Sequence, residues 1–242
     1  FGLAFFEYGR MNDADVKRLS RLSNLGILDL GRSLVTDAGM KNVAALKRLT
    51  ALDLTCCAVT DVGVRDLAVL SDLEMIGLCG TKVSDESVKS IERLKSLKVL
   101  NVEFTKVTGS GFRDLARLQH LTELYAARAS ISNEGLTEIC MLPRLTTLVV
   151  SHNEDISDKG INDLTLLRKL HKLDLSCTKV SDIGLLHVAS MPSLRVLDVS
   201  YLENVTDKGM KALSRINSLE SLSVARSPIT DNGVQWLAGL PK

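Results

Sequence analysis

Apolar residues fall into register along this chain at a period of 24 to 25 residues. The register starts at ten positions, which are Phe1, Leu25, Leu49, Leu73, Leu97, Leu121, Leu145, Leu170, Leu194 and Leu219. The ten repeats cover all 242 residues, and the seventh and ninth repeats each carry one extra residue. A period of this length is typical of stacked units that bury their apolar side chains only against their neighbours.

Each repeat combines two kinds of periodicity. It opens with alternating apolar residues, such as Leu173 and Leu175, which is the period of a half-buried strand. It closes with apolar residues three apart, such as Val64, Leu67 and Leu70, which suit one face of a short helix. The pattern therefore predicts an α/β protein in which a strand and a short helix alternate along the whole chain.

A hydroxyl residue and an aspartate stand between the strand and the helix in most repeats, as do Thr36 and Asp37. Either side chain can accept hydrogen bonds from the amino groups at a helix start, so the pair predicts where each helix begins. Because glycine is unfavourable inside a helix, its recurrence two positions later indicates close backbone packing between neighbouring repeats. These glycines are Gly39, Gly63, Gly111, Gly135, Gly160, Gly184, Gly209 and Gly233.

The composition argues against several classes of protein. With 45% hydrophobic and 24% charged residues the chain is expected to fold, and its formal charge of +1 gives no reason to expect a nucleic-acid partner. No apolar run reaches the roughly 18 residues of a membrane span, so no membrane insertion is expected. Five cysteines without paired spacing predict a reducing compartment, and hence an intracellular, cytoplasmic protein.

The segments "LDLSCTKVSDIGL" and "LDVSYLENVTDKGM" resemble leucine-rich repeats of the cysteine-containing type. Such repeats occur in the substrate receptors of F-box ubiquitin ligases. Similar units occur in bacterial and kinetoplastid leucine-rich proteins, some of them described as adenylate cyclase regulators. The resemblance implies a right-handed leucine-rich-repeat solenoid of about ten repeats, a horseshoe arc with a parallel sheet on its concave face and short helices on its convex face.

The repeats leave no linker and no second domain, so a single leucine-rich-repeat domain is predicted over residues 1–242. The chain begins without an initiator methionine, and we expect it to be a fragment of a longer protein. Neither end carries a recognisable polar cap, which stacked repeats generally need for solubility. We therefore expect flanking sequence, a partner or self-association to cover the ends.

Register separates the two adjacent cysteines of the third repeat. The family often carries Cys or Asn at position nine, where the side chain bonds the loop backbone, and Cys57 occupies that position here. Cys56 falls at position eight. Small or hydroxylic residues hold position nine in most other repeats, so we expect a weaker ladder of these bonds than in the standard form.

Outward-facing residues of each strand fall at repeat positions three, five and seven, with position eight at the strand's end. All three tyrosines of the chain lie in these columns, and arginines recur at position eight beside aspartates at position five. Tyrosine and arginine are the residue types that anchor protein interfaces. The predicted partner-binding residues are Tyr8, Arg32, Phe104, Tyr125, Arg128, His152, Tyr201 and Arg226.

Catalysis and metal binding are weaker interpretations of the same columns. His152 and Cys177 stand at position eight of adjacent repeats, but no orienting partner for a nucleophilic dyad is evident. Cys56, Cys57 and Cys79 have no obvious fourth ligand and lack the CxxC spacing of many zinc sites. Because the glycines follow the repeat period, no phosphate-binding loop is expected either. The sequence predicts no catalytic residue, no metal and no cofactor.

The predicted function is a non-catalytic module that binds a protein partner on its concave face. The alternative is a regulatory or substrate-receptor part of an enzyme complex, either an adenylate cyclase regulator or a ubiquitin ligase receptor. In that case other domains or subunits supply the catalytic function. No F-box sequence is present among the 242 residues.

Overall fold

The computed structural model describes residues 2–4 and 11–239 of the chain. The chain divides into two compact bodies. The first body comprises residues 1–107 and 114–124, and the second comprises residues 108–113 and 125–242. The single domain over residues 1–242 stays a prediction.

Every described strand is three residues long. Counted from the repeat starts, the strands of the second to tenth repeats cover positions three to five, whereas Gly2–Ala4 in the first repeat covers positions two to four. Gly2 pairs with Ile27, so the first strand lies one residue earlier than the start at Phe1 predicts. Consecutive strands pair in parallel among the first five strands, in the first body, and among the last four, in the second, with equivalent residues opposite each other. The predicted parallel pairing of one strand per repeat is confirmed. The strands are β1 (Gly2–Ala4), β2 (Ile27–Asp29), β3 (Ala51–Asp53), β4 (Met75–Gly77), β5 (Val99–Asn101), β6 (Glu123–Tyr125), β7 (Thr147–Val149), β8 (Lys172–Asp174), β9 (Val196–Asp198) and β10 (Ser221–Ser223).

Short helices follow the strands, as the threefold spacing of apolar residues predicts. In the fifth repeat a 3-10 helix, Phe112–Arg117, replaces the α-helix, because Gly109 stands where other repeats have the aspartate and both Gly109 and Gly111 have positive φ. A second 3-10 helix, Asn162–Leu166, continues the short α-helix Asp158–Ile161. The α-helices are α1 (Asp13–Leu19), α2 (Asp37–Val43), α3 (Asp61–Leu67), α4 (Asp85–Ile91), α5 (Asn133–Ile139), α6 (Asp158–Ile161), α7 (Asp182–Val188), α8 (Asp207–Leu213) and α9 (Asp231–Leu237).

The apolar side chains of strands and helices form the core of each body. In the first body, Leu28 and Leu52 from the strands and Met40 from a helix are fully buried. In the second, Leu173 and Leu185 are buried in the same way. None of the helices in the part of the chain that the structure describes has the length and apolar character of a membrane span.

The aspartate at the first helical position holds the next repeat. Asp37 Oδ2 accepts a hydrogen bond from the Thr60 hydroxyl at 2.7 Å, and its Oδ1 accepts from the backbone N–H groups of Thr60 and Gly63. The same three bonds recur at Asp158 and Asp182. The Thr60 hydroxyl in turn accepts the N–H two residues later in its own helix. The hydroxyl therefore caps its own helix, and the aspartate caps the following one.

The recurrent glycine makes room for that carboxylate. A Cβ atom on Gly184 would stand 2.5 Å from Asp158 Oδ1 and 2.7 Å from Val180 Cγ1, which is closer than real Cβ contacts. The neighbour at this position is thus a side chain of the preceding repeat. At Gly135 the close neighbour is backbone, as the sequence predicts, because the carbonyl group of Thr108 lies against this glycine.

We call the bonds from each helix-start aspartate to the next repeat the aspartate ladder. Two repeats maintain this ladder with different residues. Ser87 replaces glycine in the fourth repeat, and its hydroxyl donates to Asp61 Oδ1 at 2.5 Å. Asn133 replaces aspartate in the sixth repeat, and its Oδ1 accepts from both the N–H and the hydroxyl of Ser157. An amide can therefore take the place of the carboxylate in this ladder.

Position nine supplies a second set of bonds, from side chains to loop backbone. Asn153 Nδ2 donates to the Ala126 carbonyl group of the preceding repeat at 2.9 Å, and its Oδ1 accepts from Ile131 N–H at 2.9 Å. The buried Cys57 thiol donates to the Leu30 carbonyl group, also in the preceding repeat, at 3.1 Å. The threonines at this position donate to a carbonyl group of their own repeat. Cys57 is therefore a structural thiol.

Acid is expected to weaken the aspartate ladder. Burial raises the pKa of Asp61, but hydrogen bonds from Ser87 and Ser84 outweigh burial and the pKa is lowered overall. Hydrogen bonds from Thr230 lower the pKa of Asp207. Such a carboxyl group contributes stability above its unfolded pKa of about 3.9, which is lost as the pH falls through the folded value. We expect the free energy of unfolding, measured by urea titration, to decline below about pH 4.

The variant Asp61→Asn separates the ladder from general acid effects. It is expected to fold, because Asn133 holds the equivalent position in the sixth repeat, and its unfolding free energy should decline less steeply in acid. Asp72→Asn, on an exposed turn, is the control and should keep the full decline. An unchanged acid dependence in Asp61→Asn would contradict the assignment.

Candidate functional site

The residues at position eight share a left-handed backbone conformation. Eight of them are not glycine and have φ between 50° and 60°, and Gly80 has φ of 68°. Non-glycine residues adopt this region rarely, at a cost of about 1 kcal/mol each. We call these residues the strand-end row: Arg32, Cys56, Gly80 and Phe104 in the first body, and Arg128, His152, Cys177, Tyr201 and Arg226 in the second.

Backbone hydrogen bonds hold the row in register. The N–H group of Cys177 donates to the Ser200 carbonyl group at 3.1 Å, and that of Tyr201 donates to the Ala225 carbonyl group at 2.7 Å. Successive row residues are therefore spaced as neighbouring strands are, at about 4.8 Å. The row lies in the turn after the three-residue strand, and most of its side chains are exposed, including 51% of Tyr201.

The aspartates at position five support the turn that leads into the row. Asp174 Oδ1 accepts the N–H of the residue two positions later at 2.9 Å, and Asp198 Oδ1 does so at 2.8 Å. Asp29 and Asp53 make the same bond in the first body. The repeat register places these aspartates beside the arginines of position eight. The structure shows that they also stabilise the turn after the strand.

Shallow depressions border the row in the second body. His152, Cys177 and Tyr201 each line two of them, so the row lies between hollows on its two sides. The Arg226 guanidinium lies 5.8 Å from the centre of the Tyr201 ring, within the range of a cation–π contact. Other lining residues are Glu154, Lys179, Asp198, Glu203 and Ser223.

Cys177 and Cys140 are not activated as nucleophiles. Burial, followed by the charge of Asp174, raises the pKa of Cys177. Burial raises the pKa of Cys140 to about 12. A reactive cysteine needs a lowered pKa, so Cys177 beside His152 has the wrong protonation state for a nucleophilic dyad at neutral pH. Among the described residues no group of His, Cys, Asp or Glu is arranged to hold a metal ion.

Six of the eight predicted binding residues have the left-handed backbone conformation of the strand-end row, two of them in the first body and four in the second. Arg32 and Phe104 lie in its first-body part. Tyr125 ends β6 at position five and is half-buried. Tyr8 lies outside the described residues. The predicted residues in the second-body part of the row are Arg128, His152, Tyr201 and Arg226.

Sequence reasoning did not anticipate the left-handed conformation of the row. Arginine, phenylalanine, histidine and tyrosine carry no signal for positive φ, and Gly80 alone at this position carries one. Cys56 and Cys177 belong to the row by the same criterion. The repeat register had already placed both cysteines at position eight, although they were not among the predicted binding residues.

Comparisons with known proteins agree with this architecture. Five segments match the family model described as Leucine Rich repeat, at residues 47–68, 143–164, 167–189, 190–214 and 215–238. No curated protein matches the chain significantly.

Solved structures from two organisms share the fold. An internalin C2 (inlC2) of Listeria monocytogenes is 26% identical with a TM-score of 0.68, over 82% of this chain and 80% of that one. An internalin (inlF) of the same organism is 20% identical with a TM-score of 0.59, over 94% and 76%. The ectodomain of the receptor kinase GASSHO1/SCHENGEN3 of Arabidopsis thaliana is 23% identical with a TM-score of 0.59, over 94% and 30%.

Proposed function

This chain is a leucine-rich repeat protein, and from that premise we propose that it is a non-catalytic module whose strand-end row binds another protein. Repeat proteins of this kind present a long, regular surface, and the fold is typical of protein–protein interaction. The row and the exposed strand residues beside it form that surface in each body.

The conformation of the row is the observation that carries the proposal. Glycine adopts positive φ at no cost, yet eight of nine positions hold a larger side chain there. Backbone strain of this kind persists where the surrounding structure fixes it, and it is concentrated at functional sites. The side chains presented include arginine, tyrosine and phenylalanine, and tyrosine and arginine are the types that contribute most to interface affinity.

Relatives of similar fold support a partner-binding role. The plant ectodomain was crystallised in complex with CASPARIAN STRIP INTEGRITY FACTOR 2. The mixed character of the row in the second body, with Arg128, Tyr201 and Arg226 beside acidic Glu154 and Glu203, suits a folded protein surface. A nucleic acid would need a stronger basic surplus than the formal charge of +1.

A regulatory or substrate-receptor part of an enzyme complex would use the same surface. The captured protein distinguishes this role from that of a general scaffold. An adenylate cyclase or a ubiquitin ligase subunit among the proteins held by the row would assign it.

An intracellular, cytoplasmic location completes the proposal. All five cysteines are free. Burial, as the largest cause, raises the pKa of four of them, at Cys57, Cys79, Cys140 and Cys177. Free thiols at several places in a repeat array suit a reducing compartment.

The double variant Tyr201→Ser/Arg226→Ser tests the binding surface. It removes the exposed ring and the guanidinium that lies over it. We expect partner capture from extracts to fall at least about tenfold, measured by quantitative mass spectrometry of captured proteins. The melting temperature should change by less than about 2 °C, because both side chains are exposed.

The matched control changes two apolar residues on the helix side of the second body. Ile183→Ser/Leu186→Ser alters side chains that are 61% and 53% exposed on α7. This variant should capture the same proteins at the same level. Equal capture by the strand-end double variant and the native chain would rule out the assigned surface.

A further inference from the structure

One of the shallow depressions beside the strand-end row is lined mainly by small side chains. It has a volume of about 580 Å³, which is enough to hold a whole side chain. Ser200 is 5% exposed, and its hydroxyl shares a hydrogen bond of 2.7 Å with the hydroxyl of Ser223. We call this depression the serine hollow, and its lining residues are His152, Ser176, Cys177, Asp198, Ser200, Tyr201, Ser223 and Ala225.

The row leaves a gap between two rings at the edge of the serine hollow. His152 and Tyr201 stand on either side of Cys177, each one repeat away. Two strand spacings separate their backbones by about 10 Å. A planar group in van der Waals contact with two rings needs about 7 Å between them. Because Cys177 is small, the gap over it has room for one planar group.

The serine hollow carries negative charge. Asp198 lines it, and the described lining residues include no lysine and no arginine. Asp174 lies opposite Asp198 in the register of β8 and β9. After burial, the charges of Asp174 and Asp198 raise the pKa of Cys177, although that of Arg128 lowers it. The negative potential of the two aspartates therefore reaches the gap between the rings.

Asp198 and Tyr201 can both take a further contact. Asp198 Oδ1 accepts the N–H of Ser200 at 2.8 Å, and within the described part of the chain no ion pair engages this carboxylate. A carboxylate has about four lone-pair sites, so most of its capacity is left. The guanidinium of Arg226 contacts the Tyr201 ring from the next repeat. The neighbour of Tyr201 in the preceding repeat is Cys177, on the side of the gap.

We propose that the serine hollow receives an arginine side chain of the partner protein, stacked between His152 and Tyr201 and paired with Asp198. This inference rests on the proposed binding of a protein at the strand-end row, and it names the chemistry of that contact. A guanidinium is planar, stacks on aromatic rings and donates a fork of N–H groups to a carboxylate. A lysine ammonium is neither planar nor forked, so it fits the gap less well.

Nuclear magnetic resonance titrations with small probes test the hollow directly. The probe is acetylarginine methylamide, added to the isotope-labelled full chain, and the amide signals of Cys177 and Tyr201 report binding. We expect both signals to shift to saturation. Acetylcitrulline methylamide is planar but uncharged, and acetyllysine methylamide with a free ammonium group is charged but not planar. Both should bind at least about threefold more weakly, and equal binding of either one would overturn the proposal.

Two variants separate the charge of the hollow from the width of the gap. Asp198→Asn removes the charge and should keep the turn, because Asn101 at the same repeat position accepts the N–H of Glu103 at 2.9 Å. Cys177→Phe fills the gap and should fold, because Phe104 holds the same left-handed position with φ of 54°. We expect the first variant to bind the arginine probe at least about threefold more weakly and the second not to bind it. Native binding by either variant would contradict the assigned site.

The same two changes in the first body are the matched controls. Asp53 makes the same turn-supporting bond as Asp198, and Cys56 holds the same row position as Cys177. Asp53→Asn and Cys56→Phe should therefore leave binding of the arginine probe at the native level. Loss of binding in these controls would place the arginine site outside the serine hollow.

Capture from extracts separates this inference from the proposed function. We expect Asp198→Asn and Cys177→Phe each to lower capture of the protein that the native row holds, by at least about threefold. If Tyr201→Ser/Arg226→Ser lowers capture and these two variants do not, the row still binds a protein and the arginine assignment is wrong. If none of the three variants lowers capture, the proposed function fails as well.

Discussion

Replacing Gly184 by valine is expected to lower the free energy of unfolding by about 3 kcal/mol. The new Cβ would stand 2.5 Å from Asp158 Oδ1 and 2.7 Å from Val180 Cγ1. The side chain of Asp158 would have to move, and it would lose its bonds to the Gly184 N–H and to Ser181. Chemical denaturation followed by circular dichroism measures the loss.

The neighbouring residue provides the control for this substitution. Ile183→Val changes an exposed side chain on the same turn of α7 and should cost less than about 0.5 kcal/mol. The variant Gly184→Ser should be less harmful than Gly184→Val, because Ser87 already donates to Asp61 from the equivalent position. Equal stability of the valine and native chains would refute the ladder.

Replacing Asn153 by alanine is expected to cost a similar amount, about 3 kcal/mol. Asn153 is 2% exposed. Its amide donates to the carbonyl groups of Ala126 and Val150 and accepts from the N–H of Ile131, all at 2.9 Å. Alanine would leave these buried backbone groups without partners, which costs more than the loss of the bonds alone.

Thr178→Ala is the matched comparison, because Thr178 holds the same position in the next repeat. Its hydroxyl donates one hydrogen bond, to the Leu175 carbonyl group at 2.7 Å. We expect a cost of about 1 kcal/mol for this variant. Urea titrations of both variants give the comparison, and equal costs would show that the bonds from Asn153 to the neighbouring repeat contribute nothing.

The repeat architecture could be predicted from the sequence because the same pattern of apolar positions recurs in every repeat. The alternation at Leu173 and Leu175 and the threefold spacing at Val64 and Leu67 gave one strand and one helix per repeat. The 3-10 helix of the fifth repeat was not predicted, since its cause is the local loss of the helix-start aspartate at Gly109. The cysteine-containing subtype and the arc shape stay predictions.

The role of the aspartates was harder to predict than their position. Sequence marks Asp37 as part of a helix start, but only the structure shows that its carboxylate reaches Thr60 and Gly63 of the next repeat. A contact between residues 23 to 26 positions apart depends on the distance between stacked helices. The recurrent glycine indicated that neighbouring helices approach closely, but it did not show which atom of the preceding repeat lies against it.

The candidate site was predicted in part. Register alone selected Arg128, Tyr201 and Arg226, and the structure places them in one row. The left-handed backbone that presents them was not predictable, because these residue types avoid it when isolated. The interfaces between repeats impose it, through N–H groups that bond the carbonyl groups of the following repeat.

Site-specific photo-crosslinking tests the central claim most directly. A benzoylphenylalanine at position 201 replaces an exposed ring in the strand-end row, and one at position 186 replaces an exposed leucine on α7. We expect a crosslinked protein partner at position 201 and none at position 186, in extracts of the expressing cells. Crosslinking of the same partner only at position 186 would contradict it.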